Sequence, residues 1–243
     1  MDPNTPVVFL HAFPLHAGMW ADQREALGGR EVLTPDFPGF GGRAPGEPTL
    51  EAFARAVLAD LDAAGIDRAI FVGLSMGGYV AFRLHALAPE RFAGLVLADT
   101  RSGADDEAGR QKRSEQAARV RAEGTGWMAA ALLPALLGET TRRERPDAVA
   151  RAEALITGAD AEGVARALEA MRDRPDSTPQ LGEITCPTLV LVGAEDTLTP
   201  PAAARAMVEA LPDARLVELP GAGHLSNLEL PEAFDAALLD FLA

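Results

Sequence analysis

Three residues of this chain, a serine set among glycines, an aspartate past an apolar run and a histidine after a glycine run, have the types and the order that nucleophilic catalysis needs. In Gly73-Leu74-Ser75-Met76-Gly77-Gly78 the serine follows a run suited to a strand and opens a run suited to a helix. The G-x-S-x-G pattern is short and common, and it is this strand-to-helix context that makes it informative. A serine there must occupy a strained turn, and a bulky side chain two residues to either side would collide with neighbouring backbone. Glycines at 73 and 77 remove that collision. The turn is expected to lift the Ser75 hydroxyl above a sheet edge. It also leaves the Met76 N–H, an unpaired donor at the helix start, aimed where an oxyanion would develop.

A serine hydroxyl is a weak nucleophile at neutral pH and needs a base within hydrogen-bond reach. Of the four histidines, His11 ends a strand candidate, His16 lies in the loop after it and His85 falls mid-helix beside Leu84. His224 follows the last strand candidate in Pro220-Gly221-Ala222-Gly223-His224, a flexible run able to bring a ring over the sheet edge. It is the expected base. Such a base needs a carboxylate to set its tautomer and stabilise the imidazolium. Asp196 stands just past Leu189–Val192, with Glu195 beside it expected to point the other way, and Asp99 after Leu95–Ala98 is the competing acid. We assign the role to Asp196, since the order Ser, Asp, His then follows along the chain. A second oxyanion donor is expected from the Phe13 N–H in His11-Ala12-Phe13-Pro14.

The elements that must position these residues alternate. Strand candidates are Val7–His11, Val32–Pro35, Ala69–Leu74, Gly94–Ala98, Thr188–Val192 and Arg215–Leu219, most of them apolar on both faces as a helix-covered parallel sheet requires. Helices are predicted over Leu50–Ala64, Met76–Ala88, Pro201–Ala210 and Pro231–Leu242. The fold class that follows is α/β, a doubly wound, mostly parallel sheet. From Asp105 to Pro179 the alternation stops, and only helical patterns occur: Asp106–Glu123, Trp127–Leu137, Asp147–Ile156 and Ala161–Arg172. The reading is a core of residues 1–104 and 180–243 with a helical cap, residues 105–179, inserted between its halves.

Hydrophobic residues make up 48% of the 243, enough for a sizeable core, and the formal charge is −14 from 22 basic and 36 acidic residues. That surface repels phosphate backbones and anionic lipid, so neither nucleic acid nor a membrane is an expected partner. The single Cys186 excludes an internal disulfide and a thiolate metal cluster. The acidic start, Met1-Asp2-Pro3-Asn4, lacks the basic region of a signal peptide, and no run approaches a bilayer span, so a cytoplasmic protein is expected. Asp36-Phe37-Pro38-Gly39-Phe40-Gly41-Gly42 has the wrong spacing for a dinucleotide fingerprint and reads as a structural turn near the site.

These segments, His11–Pro14, Asp36–Gly41, Gly73–Gly78, Gly193–Asp196 and Gly221–His224, resemble the α/β-hydrolase superfamily from end to end. Within it the chain looks like the small lidded serine esterases, the branch of 3-oxoadipate enol-lactonases and methyl-ester carboxylesterases. It departs in having Ala12 where a glycine is usual and only Met1–Pro6 before its first strand candidate, where the family has a hairpin. The resemblance implies hydrolysis of small to medium neutral carboxylic esters through an acyl-enzyme, with a small-molecule substrate and no metal or organic cofactor. The same triad could serve perhydrolysis, C–C bond hydrolysis or cyanohydrin cleavage, and a non-catalytic ligand receptor is a further alternative. An apolar stripe, Trp127, Met128, Leu132, Leu133, Leu136 and Leu137, either packs the cap or lines a pocket with Phe13, Trp20, Met76 and Leu198. The charges at Arg110–Arg113, Arg119, Arg121 and Arg142–Arg145 read as a solvated face, leaving no charged residue beside the motifs.

Overall fold

Short runs that are apolar on both faces form the sheet, because helices cover both of its sides. The computed structural model describes residues 1–243. Its strands are β1 (Val7–Leu10), β2 (Val32–Leu33), β3 (Ala69–Leu74), β4 (Phe92–Ala98), β5 (Thr188–Gly193) and β6 (Ala214–Leu219). They make one six-stranded sheet in the order β2-β1-β3-β4-β5-β6, with every pairing parallel. β1, β3 and β5 are buried along their whole length, while the edge strand β6 is half exposed. β2 shrinks to two residues, where the sequence suggested four. Only Val32 and Leu33 find partners on β1, and Pro35 has no N–H for a ladder.

The helices are α1 (Ala21–Ala26), α2 (Leu50–Ala64), α3 (Met76–Leu87), α4 (Glu107–Glu123), α5 (Met128–Leu136), α6 (Glu139–Glu144), α7 (Pro146–Ile156), α8 (Ala161–Arg172), α9 (Pro201–Ala210), α10 (Ser226–Glu229) and α11 (Pro231–Leu242). Local signals set their ends. Thr49 caps α2 by accepting the Ala52 N–H at 3.1 Å, and Gly65 closes it at φ 69°. Asp106 and Asp160 cap α4 and α8 in the same way. The short α1, α6 and α10 were not expected from the sequence, being too brief for their periodicity to stand out.

Helices α4 to α8 all lie between β4 and β5 in the chain. Within this group α4 packs on α8, and both α5 and α6 pack on α7. The group meets the sheet layer through α8 against α2 and α7 against α10. One further contact is set by two glycines. A Cβ on Gly163 of α8 would lie 2.2 Å from the Gly39 carbonyl oxygen, and one on Gly39 would lie 2.4 Å from the Gly163 Cα. Backbone therefore touches backbone where α8 meets the Asp36–Gly41 turn. Gly163→Ala should force α8 outward and cost about 1–3 kcal/mol, more than the gain in helix propensity returns. A fall in Tm of roughly 5 °C is expected. Gly103→Ala, in open space, should leave Tm unchanged in the same calorimetric experiment.

Candidate active site

The sheet register brings the chemistry-bearing residues to one edge. Leu10 pairs with Gly73, Leu74 with Ala98 and Gly193 with Leu219, so β1, β3, β4, β5 and β6 all end on the same side. At the end of β3 Ser75 turns with φ 54° and ψ −112°, a strained conformation for a residue with a side chain. A Cβ on Gly77 would lie 2.1 Å from the Leu10 carbonyl oxygen, and one on Gly73 would lie 2.5 Å from the Gly77 carbonyl oxygen. The two glycines are thus demanded by close backbone approach. The turn is pinned to β4 by the Ser75 N–H, which donates to Ala98 at 2.9 Å. The Thr100 hydroxyl in turn donates to the Ser75 carbonyl at 2.8 Å.

Ser75 Oγ lies 2.8 Å from His224 Nε2, and His224 Nδ1 lies 2.8 Å from Asp196 Oδ2. All three residues are buried, with Ser75 at 8% retaining the most exposure. Asp196 also accepts from the Leu198 and Thr199 amides at 2.8 and 2.9 Å and from the Thr199 hydroxyl at 2.5 Å. Burial opposes its charge, but the neighbouring His224 and the hydrogen bonds from His224 and Thr199 win, and its pKa falls below the usual carboxylate value. Asp196 is thus held ionised, with a proton on His224 Nδ1 to bind, which leaves Nε2 free to accept the serine proton.

The competing Asp99 is also buried at this edge, in a left-handed conformation at φ 43°. It accepts from the Gly193 amide at 2.8 Å and from both the amide and the hydroxyl of Ser226. None of its contacts is with a histidine. Burial and the nearby charge of Asp196 raise its pKa well above the ordinary value, against the pull of the Ser226 and Gly193 hydrogen bonds. Glu195 turns away, as expected, and accepts from the Thr140 amide at 2.9 Å and hydroxyl at 2.5 Å at the start of α6. His11 is buried among Phe37 and Phe40, accepts the Phe37 N–H at 3.0 Å and has its pKa lowered to about 4 by burial, so it is neutral. His16 caps a 3-10 turn, and His85 lies edge-on to Phe92. Neither the Phe13 nor the Met76 N–H donates to another group of the chain, which leaves both able to receive an oxyanion. No set of three or more His, Cys, Asp or Glu side chains gathers to hold a metal ion.

Ser75 and His224 open onto a cavity of about 590 Å³. Phe13, Trp127, Leu132 and Leu198 line it, as the sequence suggested. Trp20 and Met128 do not. Trp20 is fully buried, its ring tilted against Phe9 at 4.8 Å and Phe234 at 6.0 Å between centroids, and Met128 is 2% exposed in the core. Both satisfy the same apolar periodicity as pocket residues but face inward, and the Met76 side chain is likewise in the core. The charges of the inserted helices are not all on a solvated face. Lys112, Arg113 and Arg119 of α4, joined by Arg101 after β4, line the cavity, so charged residues do stand beside the motifs. Arg101 and Arg113 converge on Asp105, as does Arg174 at 2.9 Å. Burial works against charge on Asp105, yet the hydrogen bonds from Arg174 and Arg113 bring its pKa down to about 2.

Sequence reasoning missed Glu229. This carboxylate is 1% exposed and has no cationic partner. It accepts from the amides of Gly223 at 2.9 Å and Leu225 at 3.1 Å, the two neighbours of His224, and from Gly138 at 2.8 Å. The His224 and Leu225 amides meanwhile both donate to the Leu136 carbonyl at 3.1 Å. The histidine loop is therefore clamped between Glu229 and the segment joining α5 to α6. Its only sequence signal was an acid five residues after the histidine. Glu229→Ala would orphan the N–H groups of Gly223 and Gly138, while Leu225 would keep the Leu136 carbonyl, and unfolding measurements should register a loss of about 2 kcal/mol or more. A loss below about 1 kcal/mol would mean that the loop holds itself.

A family model described as the alpha/beta hydrolase fold matches residues 5–231. A thermophilic esterase from Thermogutta terrifontis, solved with malate bound, superposes with a TM-score of 0.95 at 40% identity, over 98% of this chain and 89% of that one. The enol-lactonase of Burkholderia xenovorans LB400 superposes at 0.90 with 33% identity, over 98% and 91%. A pimeloyl-[acyl-carrier protein] methyl ester esterase from Aromatoleum aromaticum is 34% identical, over 97% of each chain. With a parallel sheet wrapped in helices and a serine turn between its third strand and the following helix, the chain belongs to the α/β-hydrolase fold family and is a hydrolase.

Proposed function

We propose that this hydrolase cleaves small to medium carboxylic esters with Ser75 as nucleophile. The observation that carries the reading is the unbroken chain of contacts from Ser75 Oγ through His224 to Asp196, both links 2.8 Å, at the floor of the cavity. His224 takes the Ser75 proton through Nε2 as the hydroxyl attacks the ester carbonyl. The Phe13 and Met76 amides receive the oxyanion. His224 then passes the proton to the leaving alcohol, and water, activated by the same base, releases the acid from the acyl-enzyme. Asp196 holds the ring and offsets the imidazolium charge. The similarity to an esterase, an enol-lactonase and a methyl ester esterase supports ester chemistry over the other reactions this triad could run.

Two experiments test the proposal. Ser75→Ala should lower p-nitrophenyl ester turnover by about 10³-fold or more, and should abolish labelling by a fluorophosphonate. Retention of a tenth of the activity would remove Ser75 as nucleophile. Asp196→Asn should cost kcat far more than Asp99→Asn, because of the two aspartates only Asp196 bonds the histidine ring. The reverse ranking would move the acid to the end of β4.

Size preference follows from the cavity. A buried methylene is worth about 0.8 kcal/mol until the space is full. Over p-nitrophenyl acetate, butyrate, hexanoate, octanoate and palmitate, kcat/KM should therefore rise to a maximum near butyrate or hexanoate and then fall. A maximum at palmitate would indicate an open lipase-like groove instead.

A further inference from the structure

The cavity wall carries an excess of one charge that the rest of the chain does not. Arg101, Lys112, Arg113 and Arg119 line it against only Asp105 and Glu115, in a chain whose net charge is −14. Arg101 and Arg113 are tied to Asp105. Arg119 pairs with Glu123 at 2.9 Å and lies 3.9 Å over the Trp127 ring, which holds its guanidinium at the wall. Lys112 is exposed and pairs with no carboxylate. An acidic chain kept in solution by its surface gains nothing from gathering cations around a pocket, so this local inversion asks for a ligand.

We propose that the substrate is an ester bearing a carboxylate away from the scissile bond, received by Lys112 and Arg119 of α4 while its ester carbonyl sits at Ser75. The apolar part of the wall, from Trp127 to Leu136 and across to Leu198, would then cover the methylenes between the two ends. The overall negative charge does not forbid this. Charges farther away than a Debye length, about 8 Å at physiological ionic strength, are largely screened, whereas cations in the wall are met at contact distance. The inference rests on the esterase reading above and narrows it, replacing neutral esters by anionic ones.

Two matched pairs test it, followed by acid release at constant pH: monomethyl adipate against methyl hexanoate, and 4-acetoxybutanoate against butyl acetate. The first pair puts the carboxylate on the acyl side and the second on the alcohol side, so the preferred pair says which end faces α4. In at least one pair the carboxylate-bearing member should have a kcat/KM about tenfold higher at low salt, as expected for a charge-assisted contact, and the advantage should shrink as salt is added. Lys112→Glu should lower that ratio about tenfold or more. Arg142→Glu makes the same charge change on α6, outside this cavity, and should leave the ratio alone. Preference for the neutral member in both pairs, or equal effects of the two variants, would overturn the inference and leave ester hydrolysis standing. If p-nitrophenyl butyrate were also inert, the esterase reading itself would fall, and this inference with it.

Discussion

The left-handed turn at Ser75 is the constraint on which the rest of the site depends. A residue with a side chain is held at φ 54° only because its surroundings over-determine it. Those surroundings are the parallel pairing of β3 with β1 and β4. Pairing with β1 puts the Leu10 carbonyl against Gly77, close enough that any Cβ there would collide. Pairing with β4 supplies the Ala98 carbonyl for the Ser75 N–H and brings Thr100 to the Ser75 carbonyl. Strand order and turn geometry are thus one requirement. A sheet in which β3 lay at an edge could not hold this serine.

The second anchor lies across the sheet and is made differently. His224 has no rigid element under it. Its loop is held by hydrogen bonds from its own backbone and its neighbours to Glu229 and to the Leu136 carbonyl. Because Leu136 and Gly138 belong to the inserted helices, these bonds also fix the floor of the cavity relative to the histidine. Loosening the insertion would therefore disturb the base as well as the binding walls. The Gly39–Gly163 contact ties the same insertion to the core at a second point. With both points held, the Ser75–His224 distance does not depend on the long helical segment folding in isolation.

What the sequence disclosed and what it hid follow from the range of the interactions involved. The Ser75, Asp196 and His224 grouping, the unbonded Phe13 and Met76 amides, five of the six strands and eight of the eleven helices were legible because each is signalled within a few residues: a glycine pair, a proline stop, a run of β-branched or leucine side chains. Trp20, Met128 and Met76 were misread because an apolar residue gives the same signal whether it faces the cavity or the core. Only the packing of Trp20 between Phe9 and Phe234 decides between them. The cations of α4 look solvated in the sequence because α4 is polar nearly all round, with only Ala117 and Val120 buried. Which of its faces meets the cavity is set by α8, about 50 residues further along, beyond the reach of any local pattern. Glu229 was invisible for a related reason. Its three partners are backbone amides, and amides carry no sequence signature.

The two buried aspartates show how the fold distinguishes groups that look alike in sequence. Each follows an adjacent strand of the sheet, and each is out of reach of solvent. Two carboxylates so close cannot both ionise freely, and the one with the better compensation keeps its charge. Asp196 has the histidine and four hydrogen bonds, counting Leu198, both Thr199 donors and the His224 ring, and its pKa is lowered. Burial and the charge of the ionised Asp196 raise the pKa of Asp99, and its neutral donors, Gly193 and Ser226, do not offset them. Asp99 is then free to serve as a tie between β4, β5 and the start of α10 through Gly193 and Ser226, steadying from below the loop that carries the histidine.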